Sequence, residues 1–175
     1  MNGAGFPAST TNRRDEKMSD AAMHVVLTKE HQWLEQLVGE WTCEMEAAMT
    51  PGGPTQTHTS RESVRSLGGA WVLCEGEMGS GGTLMTLGYD PAKGRFVGSF
   101  VGSMMTTQWI YEGELDETGN ALVLSTRGPS VEDGTITDYR DTIEIRAPDH
   151  RVLTSSYLLP NGEWTLFMTA HYRRV

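Results

Sequence analysis

The chain has 175 residues, 38% of them hydrophobic, with 14 basic side chains against 23 acidic ones and a net charge of −9. That length fits one globular domain, or one domain plus a tail. The acidic balance argues against a nucleic-acid partner, whose phosphates need clustered Lys and Arg. Two cysteines are too few for a disulfide-stapled secreted scaffold, and no apolar run approaches the roughly 18 residues of a spanning helix. A cytoplasmic protein with no membrane partner is the expectation.

Residues 1–23 carry Gly3, Gly5, Pro7, Ser9 and a run of charges from Arg13 to Lys17, with almost nothing apolar. Such a stretch cannot bury enough surface to offset chain entropy, so a disordered tail is predicted, with Met18 a candidate start. Residues 24–175 are read as a single domain. Thr28 can cap a helix of about ten residues, on which Trp33, Leu34, Leu37 and Val38 form one apolar face and Gly39 marks the end. A helix that short needs something larger to pack on.

After Gly39 the period changes from helical to alternating. Turn signals fall at Pro51–Pro54, Gly68–Gly69, Gly79–Gly82, Asp90–Pro91, Ser103–Thr106, Asp116–Asn120, Gly128–Gly134, Pro148–Asp149 and Pro160–Gly162. They separate ten segments with one dry and one wet face each. Trp41, Cys43, Met45, Ala47 and Met49 share a face, as do Trp109, Tyr111, Gly113 and Leu115. Trp164, Leu166, Met168, Ala170 and Tyr172 read the same way in the last segment. With no helical crossover, the strands must be antiparallel neighbours. Closing them removes both sheet edges. The predicted fold is all-β: an up-and-down barrel of about ten antiparallel strands, capped by one short N-terminal helix, wide enough to enclose a small ligand. Glu75-Gly76-Glu77 and Glu112-Gly113-Glu114 place a glycine on the dry face twice, where a missing side chain lets a barrel wall bend.

Gly39-Glu40-Trp41, directly after a helix and before a meander, resembles the Gly-x-Trp signature of lipocalins. That resemblance implies a tryptophan closing the barrel floor with a late basic side chain, Arg173 or Arg174, stacked over its ring. A longer resemblance runs from Thr28 to Val175. Leu37-Val38-Gly39-Glu40-Trp41, Gly68-Gly69-Ala70-Trp71-Val72, Gly88-Tyr89-Asp90-Pro91, Phe96-Val97-Gly98-Ser99, Ser103-Met104-Met105 and Tyr111 to Asp116 are similar to the bacterial domain-of-unknown-function family 1579. This implies a calycin-like barrel and supplies no catalytic residues.

The chemistry-bearing residues are sparse. The five histidines form no local metal-binding pair, so neither a metal site nor a cofactor is expected. His171 lies in the closing strand, where haem-binding barrels of the nitrobindin type carry an iron ligand, but its parity with Thr165, Thr169 and Arg173 points outward. Cys43 and Cys74 sit on dry faces two strands apart, which predicts buried free thiols. Asp141 is a carboxylate on a face that otherwise reads inward, costly unless hydrogen-bonded. Its readings are a polar anchor for a ligand, with Tyr139 or Tyr157, or a structural hydrogen bond. Met45, Met49, Met78, Met85, Met104, Met105 and Met168 fit either a packed core or a tolerant apolar cavity. Trp71 and Leu73 fall on the outer face, as a patch for the helix or a second subunit to cover.

The sequence therefore predicts a non-enzymatic binding protein holding a small apolar molecule, with Phe100, Trp109, Tyr111, Tyr139, Asp141 and Met168 as lining. The alternatives are a homodimeric interaction protein with a filled core and a haem-binding barrel.

Overall fold

The computed structural model describes residues 25–48, 53–130 and 133–175. The predicted tail and Met49 lie outside them. One helix, α1 (Lys29–Glu35), precedes ten strands: β1 (Gly39–Ala47), β2 (Gln56–Leu67), β3 (Trp71–Met78), β4 (Gly81–Asp90), β5 (Arg95–Gly102), β6 (Trp109–Leu115), β7 (Ala121–Pro129), β8 (Ile136–Ala147), β9 (His150–Leu158) and β10 (Trp164–Arg174). Each strand pairs antiparallel with its sequence neighbours, and β1 pairs with β10, so the sheet closes into a barrel. Each of the nine predicted turns falls at a junction between consecutive strands, those at Gly79–Gly82, Asp90–Pro91 and Gly128–Gly134 overlapping a strand end.

The helix is shorter than its sequence pattern. His31 Nδ1 accepts the backbone N–H of Thr28, tying down the first turn. The last turn tightens into i→i−3 bonds from Gln36, Leu37 and Val38, a common way to satisfy terminal groups. Trp33, Leu34 and Leu37 are buried against the barrel end, and the Trp33 indole N–H donates to Gly119 O at 2.9 Å. Trp41 is 1% exposed, and Arg174 stacks on its ring at 4.3 Å while donating to the carbonyls of Gln36, Val38 and Pro148. Of the two basic candidates for that stack, Arg174 is the one used. Gly39, at φ +141°, is required here, because a Cβ would fall 2.1 Å from Arg174 Nη1.

One alternation differs from the sequence reading. The β9–β10 register shifts between Leu166 and Met168. Phe167 turns its ring toward Tyr139 and Tyr157, while Trp164 and Leu166 are 40% and 57% exposed. The extra residue of a bulge swaps faces on one side of it, so only Met168, Ala170 and Tyr172 of that predicted set keep the inward face. The outer patch at Trp71 is not covered by α1 either. Its ring lies across Gly88 and remains 38% exposed, while Leu27 reaches Gly69 instead.

The core is uneven along the barrel axis. At the helix end, Trp41, Val72, Leu87, Phe96, Leu122, Leu124 and Ile143 are all at most 2% exposed and join Trp33, Leu34 and Leu37 in one cluster. That end is filled. Toward the opposite end, inward-facing Met85, Phe100, Trp109 and Met168 keep partial exposure, as do Met45 and Leu153 midway along β1 and β9. The interior there is less completely closed.

Candidate functional site

Two polar groups stand inside the barrel between the filled end and the less closed one. The first is Arg151, 4% exposed, whose Nη2 donates to Glu62 across the interior. Its guanidinium lies 4.7 Å from the Trp41 ring centroid and 4.2 Å from that of Tyr172. Planar, weakly hydrated arginine suits such an aromatic sandwich. Its Nε meets no hydrogen-bond partner among the described residues. Burial acts to lower the Arg151 pKa, but Glu62, together with Tyr172 and Cys74, holds it above its ordinary value. Cys43 and Cys74, nearby, are both free and buried, and desolvation pushes both thiols up. They are poor nucleophiles as a result.

The second group is Asp141. Its neighbours across the ladder are Leu124 on β7 and Ser155 on β9, and Tyr111 reaches it from β6, donating its hydroxyl to Asp141 Oδ2 at 2.5 Å. Burial raises the Asp141 pKa, while hydrogen bonds from Ser155 and Tyr111 act the other way. The buried Tyr111 hydroxyl, facing a carboxylate, is pushed well above the usual phenol range. Among the described residues no Lys, Arg or His forms an ion pair with Asp141.

One rung toward the less closed end lies an aromatic ring of side chains. Tyr139, two residues before Asp141, packs edge-on against Trp109 with centroids 4.8 Å apart, and against Phe167 at 6.2 Å. Tyr157, opposite Tyr139 and two residues after Ser155, meets Phe167 at 5.7 Å. Tyr139 donates its hydroxyl to Pro129 O, and the Trp109 indole N–H lies 3.1 Å from Met105 Sδ. The Trp109 ring sits where a Cβ on Gly128 would fall, 2.1 Å away.

That contact marks a split in the wall. β6 and β7 pair only from Glu112–Ser125 to Leu115–Leu122, while Trp109–Tyr111 pair with β5 and Thr126–Pro129 with β8. Outside the split runs a groove of about 590 Å³ between Ile110, Glu112, Arg127, Asp138 and Trp164, with Thr126 and Tyr139 at its base. Thr126 is 7% exposed and its hydroxyl has no partner among the described residues. A second groove, about 610 Å³, runs over the outer faces of β10, β1 and β2 beside Glu44, Arg61, His171 and Arg173.

The structure brings the six predicted lining residues together. Phe100 pairs with Trp109 across β5–β6, Tyr111 bonds Asp141, Tyr139 packs on Trp109, and Met168 faces Ser155 beside Asp141. Sequence reasoning missed Arg151, Glu62, Ser155, Thr126 and Phe167. The alternation Arg151, Leu153, Ser155, Tyr157 along β9 was the available signal for two of them. His171 points outward, as its parity indicates, and stacks on His150 with centroids 5.7 Å apart. Among the described residues no cluster of three or more His, Cys, Asp or Glu could hold a metal ion. No helix of the described residues is long and apolar enough to cross a membrane.

The family described as "Protein of unknown function (DUF1579)" matches residues 27–174. The chain belongs to that family. No curated protein matches it. Among solved structures, it is similar to the crystal structure of Rv2717c from M. tuberculosis, at 14% identity and TM-score 0.61, over 86% of this chain and 99% of that one. That likeness shows the barrel alone. EF1p2_mFAP2b bound to DFHBI overlaps more loosely, at 13% identity and TM-score 0.41, covering 83% of this chain and 98% of that one.

Proposed function

We propose that this protein binds a small molecule in the half of the barrel away from α1, and that it acts as a binder rather than an enzyme. The carrying observation is that inward-facing Met85 and Phe100 beyond the Tyr111–Asp141–Ser155 rung, Met168 on it, and Met45 and Leu153 one step toward the helix all retain partial exposure. In a solid core such side chains would be close-packed and dry. Apolar walls with one hydrogen-bonded polar group are the usual composition of a ligand pocket. Three flexible methionines suit a guest whose shape is loosely specified. The free thiols Cys43 and Cys74 support a reducing, cytoplasmic setting.

Titration with an environment-sensitive apolar fluorophore tests this. Saturable binding that is lost in Met168→Trp, with the variant's fold intact by circular dichroism, is the expected result. Absence of any saturable signal in the native protein refutes it.

A second reading has its own observation. Ile110, Ile136, Trp164 and Leu166 are 59%, 61%, 40% and 57% exposed on the outer faces of β6, β8 and β10. Large apolar side chains in that number fit a homodimer surface. Sedimentation that finds only monomer across the micromolar range removes it.

A further inference from the structure

The chamber has a chemical preference that follows from where its charges are neutralised. Two carboxylates stand inside the barrel among the described residues. Glu62 is answered by Arg151, so that pair carries no net charge. Asp141 is answered, among the described residues, by neutral donors: the Tyr111 hydroxyl and that of Ser155. A carboxylate has about four lone-pair positions, and two hydroxyls leave the others without a donor. Asp141 keeps partial exposure although Tyr111, Tyr139 and Ser155 around it are buried. It is therefore a carboxylate in a low-dielectric wall with no counter-charge among the described residues, a costly arrangement for a protein to maintain.

The next rung supplies the complementary feature. Trp109, Tyr139 and Phe167 meet edge-on or nearly so, at 75° and 85° between planes. Several rings meeting at steep angles present π faces in more than one direction, the arrangement that attracts an organic cation. Phe100 and Met85, paired across β4–β5, and the partly exposed Met168 then offer apolar surface to whatever the cation carries. A bare metal ion does not fit, since the rim has rings where such an ion needs oxygen ligands.

We propose that the chamber is a site for an organic ammonium ion, whose charged group lies between Asp141 and the Trp109, Tyr139 and Phe167 rings with its apolar part among Phe100, Met85 and Met168. This rests on the reading of the barrel as a small-molecule binder and narrows the class of molecule.

The test compares 2-phenylethylammonium with 2-phenylethanol, which share shape and differ in charge, by NMR titration of the native protein at pH 7.5. The ammonium ion binds at least tenfold more tightly, with shifts on Asp141, Tyr139 and Trp109 amides. Asp141→Asn brings the two affinities within about threefold by weakening the ammonium ion alone. Equal affinities in the native protein overturn the cation preference and leave the binding reading standing. No binding of either compound overturns both. An ammonium preference that survives Asp141→Asn also overturns the assignment, because the attraction then comes from the net −9 charge at large. Trp109→Leu, at the rim, keeps the test open if Asp141→Asn does not fold: it must weaken the ammonium ion more than the alcohol.

Discussion

Replacing Arg151 by methionine tests the interior polar architecture most directly. In the native protein Arg151 is 4% exposed and the Glu62 side chain 14% exposed, so both charges have left most of their water. The guanidinium is also sandwiched between the Trp41 and Tyr172 rings at 4.7 and 4.2 Å. Methionine fills the gap between the rings and keeps sulfur–aromatic contact, so lost packing is the smaller effect. The larger is the Glu62 carboxylate left without its counter-charge, for which removal of one member of a buried pair costs roughly 3–5 kcal/mol. We expect a loss of about 4 kcal/mol, or about 8–16 °C in Tm at the 2–4 °C per kcal/mol typical of this size. Arg151→Met with Glu62→Gln removes both charges together, and should recover about 2 kcal/mol or more relative to the single variant. Urea unfolding at pH 7, followed by tryptophan fluorescence and circular dichroism, measures both. A single variant less than about 1 kcal/mol below the native protein, or a double variant no more stable than the single, refutes the claim that Arg151 is held by an internal charge pair.

Other expectations follow from particular contacts. Gly98→Ala places a Cβ 2.1 Å from Thr86 O and 2.9 Å from Leu87 Cδ2, on backbone that cannot step aside; it should cost about 2 kcal/mol or more by thermal melt, and a neutral result would mean the strand spacing is wrong. The raised thiol pKa values of Cys43 and Cys74 predict that neither labels in the folded state at pH 8, so labelling should follow urea unfolding; rapid labelling of native protein contradicts their burial. Asp141 has a folded-state pKa raised by burial, so the folded protein holds that proton more tightly than the unfolded chain. Its contribution to stability is therefore most favourable below the unfolded carboxyl range and declines as pH rises through the raised value. Asp141→Asn abolishes that decline, so variant and native stabilities should diverge in the variant's favour from pH 4 upward, and parallel curves would refute it.

Much of this barrel is legible because its strands follow a period of two between nine strong turn signals, and alternation is set locally. Tyr111, Tyr139 and Asp141 could be placed inward by parity alone, and proximity followed once the order of strands was known. Phe167 could not, because a bulge adds one residue and leaves no composition mark; Trp164 and Leu166 were assigned to the wrong face for the same reason. Arg151 and Glu62 were hidden differently. A charged side chain reads as solvent-facing unless its partner is known, and here the partner is 89 positions away in sequence. The split between β6 and β7 depends on register, which no single strand encodes.

The two ends of the barrel divide the work of stability and access. Closing a ten-stranded wall creates more interior than the inward side chains of one chain readily fill. The helix answers that at one end by adding Trp33, Leu34 and Leu37 to the buried cluster, with Arg174 fastening it through three backbone carbonyls. Toward the other end the same strands carry methionines and aromatic rings that stay partly exposed. Between them, Arg151–Glu62 and Tyr111–Asp141–Ser155 form the boundary. Polar groups are tolerated there because Arg151 finds a partner on β2 and Asp141 finds partners on β6 and β9, which also ties those parts of the wall together. A molecule entering the less closed half would thus meet a floor whose geometry is set by the filled half. Substitutions at the Arg151 pair should act on stability and those at Asp141 on binding, although the two residues lie on adjacent strands of one sheet.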